Sequence, residues 1–134
     1  MESISRVRRK EEQKVRPVSW IEIERHIKKI ANKIKRSGKK YKFIYGVPRG
    51  GLIPAVLLSH KLDIPLCDSI KDHKSTLVVD DISDSGKTLG RIIEKNGKID
   101  IATIFVRKGS SVMPKFYAAK VHKEWIGFPW EEDT

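Results

Sequence analysis

The sequence predicts an α/β domain in which helices cover both faces of a central, mainly parallel β-sheet. Short apolar runs alternate with helical patterns along the chain, which favours right-handed crossovers between parallel strands. Two polar, glycine-containing loops each follow a predicted strand and precede a predicted helix, the position at which open α/β sheets bind ligands. The 134 residues suffice for one domain with a real core and are too few for two.

The first predicted element is a helix that begins just after Pro17. Ser19 and Glu22 fit the S-x-x-E capping box, in which each residue satisfies a free backbone N–H of the other. An apolar stripe follows at steps of three and four residues and ends before Gly38, a typical helix stop. The stripe consists of Trp20, Ile23, Ile27, Ile30 and Ile34. This spacing places all of these side chains, Trp20 included, in the core.

The rest of the chain alternates between strand-like and helix-like stretches. The predicted strands are "FIYGV" (43–47), "PLCDSI" (65–70), "TLVVDD" (76–81, ending at the acidic pair) and "IDIATIFV" (99–106), with "FYAAKV" and "WIGFPW" as further extended segments. The predicted helices are "LIPAVLLSHKL" (52–62), which tolerates Pro54 in its first turn, and residues 87–95. The two polar loops therefore lie at 46–51 and 80–88.

The charge balance favours an anionic partner. Lys and Arg total 28 against 17 Asp and Glu, which gives a net charge of +11. Such a surplus attracts polyanions, and it does not by itself separate nucleic acid from a phosphorylated small molecule. Residues 1–16 are polar and basic, so we expect a basic N-terminal tail before a single domain over residues 17–134.

Cysteine content and hydropathy predict a cytoplasmic protein. The single cysteine, Cys67, excludes an internal disulfide and fits a reducing compartment. No apolar run approaches the ~20 residues that span a bilayer, and the charged N-terminus lacks the apolar core of a signal peptide. We therefore expect no membrane partner.

The loop "DDISDSGKT" (80–88) resembles a Walker A loop only at its end. A Walker A loop needs a glycine five residues before its Gly-Lys pair, but Asp81 stands there and its carboxylate repels a polyphosphate. Asp80 and Asp81 are instead acceptors suited to vicinal sugar hydroxyls, directly or through Mg²⁺. The residues that follow offer hydroxyls and backbone amides to a monophosphate. These are Ser85, Gly86, Lys87 and Thr88.

The loop "GVPRGG" (46–51) offers a second place for an anion, at Arg49 and the two glycines beside it. Taken alone, "PRGG" is equally typical of an ordinary tight turn, and "DDISDSGKT" alone also fits a polar surface turn. Together the loops fit a ligand with anionic groups at two places and a diol between them. A 5-phosphoribosyl group that carries pyrophosphate at its other end has this layout.

These motifs resemble those of a known family. "LVVDDISDSGKTL" (77–89) resembles the phosphoribosyl-diphosphate (PRPP) signature of type I phosphoribosyltransferases, and "GVPRGG" is similar to their pyrophosphate loop. "EWIGFPWE" (124–131) is similar to the closing segment of xanthine–guanine and related purine phosphoribosyltransferases. The resemblance spans residues 17–131. It implies the type I phosphoribosyltransferase fold, purine salvage from PRPP and a 6-oxopurine, Mg²⁺ as cofactor, and a homo-oligomer (dimer or tetramer).

The resemblance also implies roles for individual residues. Asp84 would be the catalytic acid–base partner of purine N7, while Asp80 and Asp81 would contact the ribose hydroxyls or Mg²⁺. The 5-phosphate would bind Ser85, Gly86, Lys87 and Thr88; pyrophosphate would bind Arg49 and Gly50; and the base would contact Arg107 or Lys108, Trp125 and Ile126. A cis peptide bond is expected between Pro48 and Arg49.

The chain departs from the family pattern in one connection. Family members carry a long flexible loop, often with a Ser-Tyr pair, before the signature strand, whereas only "KDHKS" (71–75) stands here. The short connection and the basic charge favour an alternative: a PRPP- or nucleotide-binding regulatory protein of the same fold that binds nucleic acid through its basic surface. Asp84 and the "WIGFPW" segment favour the enzyme.

Overall fold

The computed structural model describes residues 14–131, so most of the predicted basic tail lies outside the described residues. The helices are α1 (Trp20–Ser37), α2 (Leu52–Leu62) and α3 (Lys87–Asn96). The strands are β1 (Val15–Pro17), β2 (Phe43–Gly46), β3 (Leu66–Cys67), β4 (Thr76–Ser83), β5 (Asp100–Arg107), β6 (Phe116–Val121) and β7 (Trp125–Gly127).

The central sheet has five strands in the order β3-β2-β4-β5-β6, and every neighbouring pair is parallel. Helices α1 and α2 pack on one face of this sheet, and α3 packs on the other. The predicted fold class is therefore confirmed. Parallel strands bring the ends of β2 and β4 to the same edge of the sheet, where both polar loops begin.

The sheet separates two apolar clusters. The larger cluster joins the buried stripe of α1 to α2 and to one face of the sheet through Ile23, Ile27, Ile30, Ile34, Ala55, Leu58, Ile44, Leu77 and Ile104. The smaller one joins α3 to the opposite face through Leu89, Val78, Ile99 and Ile101. Burial on both faces explains why the central strands read as continuous apolar runs.

Helix α1 begins and ends where the sequence predicts, but the side chain of its first residue does not lie in the core. The Ser19 hydroxyl oxygen accepts the Glu22 N–H at 3.1 Å, and Gly38 ends the helix with φ of 74°. The core placement of Trp20 is wrong, because this side chain is 52% exposed. Trp20 is the first helical residue, and its ring contacts Trp130, with 5.8 Å between centroids, instead of the sheet.

The expected division between the tail (1–16) and the domain (17–134) falls inside strand β1. Strand β1 pairs with β7 in a separate two-stranded parallel sheet, in which Val15 lies opposite Trp125 and Arg16 opposite Ile126. The folded part thus begins before Pro17. Local periodicity does not reveal this, since the partner strand lies more than a hundred positions away in the sequence.

Two predicted strands change their length. Strand β4 continues past the acidic pair to Ser83, because β5 still offers Val106 as a partner there. In "PLCDSI" only Leu66–Cys67 is extended, at the edge of the sheet beside β2. Among the helices of residues 14–131, none is long and apolar enough to cross a membrane.

Candidate active site

The two predicted ligand loops lie side by side beyond β2 and β4. The Val47 N–H donates to the Val79 carbonyl at 2.9 Å, which joins the first loop to the neighbouring strand. The second loop encloses a small open pocket of about 70 Å³. Nine residues between Asp80 and Leu89 line it, all of that stretch except Asp81. The structure therefore brings the predicted 5-phosphate residues together around one cavity.

Asp80 and Asp81 face the two different loops. Successive strand residues point to opposite sides, so that Asp80 lines the pocket of the second loop while the Asp81 carboxylate lies against Gly50 of the first. Asp80 accepts the Asp81 N–H, and Asp81 accepts the Ile82 N–H, both at 2.8 Å. Burial, and secondarily the neighbouring Asp81 carboxylate, raises the pKa of Asp80.

The first loop is packed so closely that none of its three glycines has room for a side chain. A Cβ on Gly50 would overlap the Asp81 carboxylate, and one on Gly51 would overlap the Val79 carbonyl. The predicted cis peptide bond between Pro48 and Arg49 is confirmed. The Arg49 side chain is exposed beside this loop, where it is free to meet an anion from solvent.

The second loop leads into the N-terminus of α3, whose free N–H groups and dipole favour an anion. Gly86 precedes the helix with φ of 92°, a left-handed conformation that favours glycine. The Ser85 hydroxyl oxygen accepts the Lys87 N–H at 3.2 Å. The side chains of Lys87 and Thr88 are exposed at the mouth of the loop.

Arg107 connects Asp84 to the base side of the site. Its Nε donates to Asp84 Oδ1 at 2.5 Å, and its Nη1 donates to the carbonyl oxygens of His122 and Glu124, both at 2.8 Å. The guanidinium thus holds a carboxylate and two backbone carbonyls at once, a geometry that an ammonium group cannot reproduce. Sequence reasoning named Asp84 and Arg107 separately and missed their contact.

The remaining base-side candidates lie in different environments. Trp125 and Ile126 are buried, at 7% and 4% exposure, and the backbone N–H of Trp125 donates to the Lys14 carbonyl at 2.9 Å. The Lys108 side chain is exposed, and only its backbone N–H is engaged, by the Val121 carbonyl at 2.8 Å. The described contacts thus place Arg107, and not Lys108, against Asp84.

The short β3–β4 connection forms a compact turn around Asp72. Its carboxylate accepts the Ser75 hydroxyl at 2.6 Å and the Lys74 N–H at 3.2 Å, and these two hydrogen bonds lower the pKa of Asp72. The Asp72 carbonyl accepts the Thr76 hydroxyl at 2.7 Å. This connection is a closed turn, and none of its residues lines the pocket.

The turn after β5 is a third part of the site, and sequence reasoning missed it. Ser111 donates to the Ser85 carbonyl, while Ser83 and Ser110 lie 2.9 Å apart through their hydroxyl oxygens. The available signal was "RKGSSV" (107–112), a polar glycine-containing stretch directly after a predicted strand. It falls at the same edge of the sheet as the other two loops.

The carboxylates fit a substrate-bound magnesium ion better than a resident metal site. Within residues 14–131 there is no group of three or more His, Cys, Asp or Glu side chains placed to hold a metal ion. Mg²⁺ is commonly held by one or two carboxylates together with substrate phosphates and water. Asp80 and Asp81 match that donor set. They lie where the two predicted ligand loops, 46–51 and 80–88, adjoin, and we call these the anion-type loops because each offers groups that can bind an anion.

Comparisons with known proteins find relatives of the chain among curated sequences and among solved structures. No protein-family model matches the chain. A xanthine-guanine phosphoribosyltransferase of Idiomarina loihiensis is 29% identical and is covered over 85% of each chain. The crystal structure of a purine phosphoribosyltransferase from Pyrococcus horikoshii is similar with a TM-score of 0.78 and 36% identity, over 90% of this chain and 96% of that one. A Neisseria gonorrhoeae protein solved with bound ppGpp shares the fold, with a TM-score of 0.76 and 24% identity over 90% of each chain.

The parallel sheet and its two anion-type loops define the class, a type I phosphoribosyltransferase fold. The identity to the Pyrococcus horikoshii structure over nearly its whole length then settles the family. This chain belongs to the purine phosphoribosyltransferases. The resemblance drawn from its sequence motifs is confirmed.

Proposed function

We propose that the protein transfers the 5-phosphoribosyl group from PRPP to a 6-oxopurine and so forms a nucleoside monophosphate and pyrophosphate for purine salvage. The observation that carries the proposal is the opposite orientation of Asp80 and Asp81, each toward one of the two anion-type loops. When a ribose lies between these loops, its hydroxyls are next to the carboxylates of Asp80 and Asp81. Its 5-phosphate then meets the α3 N-terminus, and its pyrophosphate meets Arg49 and Gly50.

The reaction breaks the bond between the anomeric carbon and the pyrophosphate oxygen, and the electron pair leaves with pyrophosphate. A bond forms between a purine ring nitrogen and the same carbon, while Asp84 takes up the proton of the base. Arg49 stabilises the departing negative charge. Asp80 and Asp81 would hold Mg²⁺ together with the substrate, and the bound ion would supply further positive charge beside pyrophosphate.

The base lies on the side of Asp84 in this proposal. Arg107 holds Asp84 and the carbonyls of His122 and Glu124, so the acid–base group and the segment before Trp125 keep one relative position. Trp125 and Ile126 would bound the purine. The homo-oligomeric state and the cytoplasmic location are expectations from the family and from composition.

The alternative, a nucleic-acid-binding regulator, receives less support. Part of the basic surplus has a structural use: the ammonium groups of Lys29 and Lys33 donate to the carbonyls of Ala118 and Tyr117 on edge strand β6, at 2.6 and 2.7 Å. Lysines placed this way protect a sheet edge from pairing with another chain. The Idiomarina loihiensis and Pyrococcus horikoshii proteins are both named as purine phosphoribosyltransferases, which favours the enzyme.

A panel of bases tests the proposal. Magnesium and PRPP are incubated with guanine, hypoxanthine, xanthine, adenine, uracil and orotate in parallel, and nucleotide products are separated by chromatography. We expect product from one or more 6-oxopurines, loss of product on chelation with EDTA, and its return when Mg²⁺ is restored. Product from a pyrimidine alone, or from no base, would overturn the proposed function.

Replacing Arg107 with Lys tests the base side of the site. The lysine ammonium keeps the charge but cannot hold Asp84 and two carbonyls in one plane, so we expect kcat/KM for the base to fall by about tenfold or more. Arg91→Lys, at an exposed position of α3, is the matched control. If Lys108→Met causes the large loss and Arg107→Lys causes none, base recognition belongs to Lys108 instead.

A further inference from the structure

The turn after β5 donates two hydrogen bonds to one peptide group of the second loop (80–88), on the side away from the pocket. The carbonyl oxygen of Ser85 accepts two hydrogen bonds from Ser111, one from its backbone N–H and one from its hydroxyl, both at 3.0 Å. Two donors on one carbonyl restrict rotation of the peptide plane between Ser85 and Gly86. This contact joins residues 26 positions apart in the chain.

The orientation of that plane decides where an amide donor points. In a trans peptide the C=O and the following N–H point in opposite directions, and Pro48–Arg49 is the cis bond found among residues 14–131. Because the Ser85 carbonyl points toward Ser111, the N–H of Gly86 in the same peptide plane points to the opposite side of the loop. Gly86 lines the phosphate pocket, and its N–H has no hydrogen-bond acceptor within the described part of the chain.

The turn itself is fixed in place. The Ser83 hydroxyl donates to the Val112 carbonyl at 2.8 Å, and the Val112 N–H donates to the Ser110 hydroxyl oxygen at 3.3 Å. The contact with the loop is direct, because a Cβ on Gly86 would overlap Ser111 Oγ and lie 2.9 Å from the Val112 nitrogen. The turn therefore packs against the Cα of Gly86, on the side opposite to the Gly86 N–H, which faces the pocket.

We propose that Ser111 is a positioning residue for the 5-phosphate: by holding the Ser85 carbonyl it keeps the Gly86 N–H directed at the phosphate. The inference rests on the proposed function, since it assigns the pocket to the 5-phosphate of PRPP. Ser111 acts through the backbone of the loop and touches neither the base nor the anomeric carbon in this assignment.

The test measures binding of ribose 5-phosphate by calorimetry and, separately, the KM for PRPP and kcat. Ser111→Ala removes the hydroxyl donor and leaves the backbone donor. Loss of one hydrogen bond predicts a Kd for ribose 5-phosphate weaker by roughly two- to tenfold. The KM for PRPP is expected to rise more than kcat falls. Ser111→Thr keeps a hydroxyl and restores both values.

Met113→Ala is the control for the turn, because this side chain lies two positions after Ser111 and is 62% exposed. Weaker binding in Ser111→Ala, with recovery in Ser111→Thr and no change in Met113→Ala, supports the assignment. Unchanged binding in Ser111→Ala beside normal binding by the native protein overturns the inference and leaves the proposed function standing. A native protein that does not bind ribose 5-phosphate overturns both the proposed function and the inference.

Discussion

Replacing Asp84 with Asn is expected to lower kcat by about a hundredfold or more, the usual contribution of a positioned acid–base group. The amide has nearly the shape of the carboxylate and still offers an oxygen to Arg107 Nε. The substitution therefore removes proton transfer and keeps the local geometry. Because the proposed role of Asp84 is toward the base and not toward the 5-phosphate or pyrophosphate, the KM for PRPP is expected to change much less than kcat.

The matched control is Asp63→Asn, the same change of carboxylate to amide at an exposed position. Asp63 has a φ of 54°, a conformation that asparagine also tolerates. Steady-state rates with the preferred base and unfolding in urea separate loss of chemistry from loss of fold. Full activity in Asp84→Asn would remove this carboxylate from the mechanism.

The second large effect is expected from Gly86→Ala. Alanine at φ of 92° is strained by about 1–2 kcal/mol, and its Cβ would overlap Ser111 Oγ as well as crowd the backbone nitrogen of Val112. The loop must shift to remove the overlap, which turns its amides away from the phosphate. We expect the KM for PRPP to rise by more than about tenfold, as loss of more than 1.4 kcal/mol of binding predicts.

Gly38→Ala separates strain from overlap. Gly38 also has a positive φ, of 74°, but a Cβ there would meet no atom within 4 Å. This control is expected to lose about 1 kcal/mol of the free energy of unfolding and no affinity for PRPP. If Gly86→Ala binds PRPP as well as Gly38→Ala does, the contact between Gly86 and the β5–β6 turn has no part in binding.

Local patterns predicted the parts of the fold that local interactions determine. The stripe from Ile23 to Ile34 and the stop at Gly38 specify α1 because side chains three and four positions apart share a helix face. The two anion-type loops were also predictable, since each follows an apolar run and begins a helix. Their chemistry is written in consecutive residues, above all Asp80 and Asp81.

Contacts between distant segments could not be predicted in this way. Trp20 continues the apolar spacing of α1, yet its ring contacts Trp130 and stays half exposed. Likewise, β1 is a strand only because β7 pairs with it. Periodicity reports which face of an element is apolar, and it does not report what that face meets.

The same limit applies to the site. The pair of Asp84 and Arg107 joins residues 23 positions apart, and the two hydrogen bonds from Ser111 to Ser85 join residues 26 apart. Each partner is ordinary in its own stretch of sequence. The sheet topology brings them together, because β4 and β5 are neighbours and their following segments leave from the same edge.

We expect the phosphoribosyl group to go to a purine and not to water, even though the connection around Asp72 is a closed turn. The most direct measurement compares the amounts of pyrophosphate, nucleoside monophosphate and ribose 5-phosphate formed from Mg²⁺ and PRPP with a 6-oxopurine present. Transfer predicts equal amounts of pyrophosphate and nucleotide. Pyrophosphate accompanied by ribose 5-phosphate, with no nucleotide, would contradict the account.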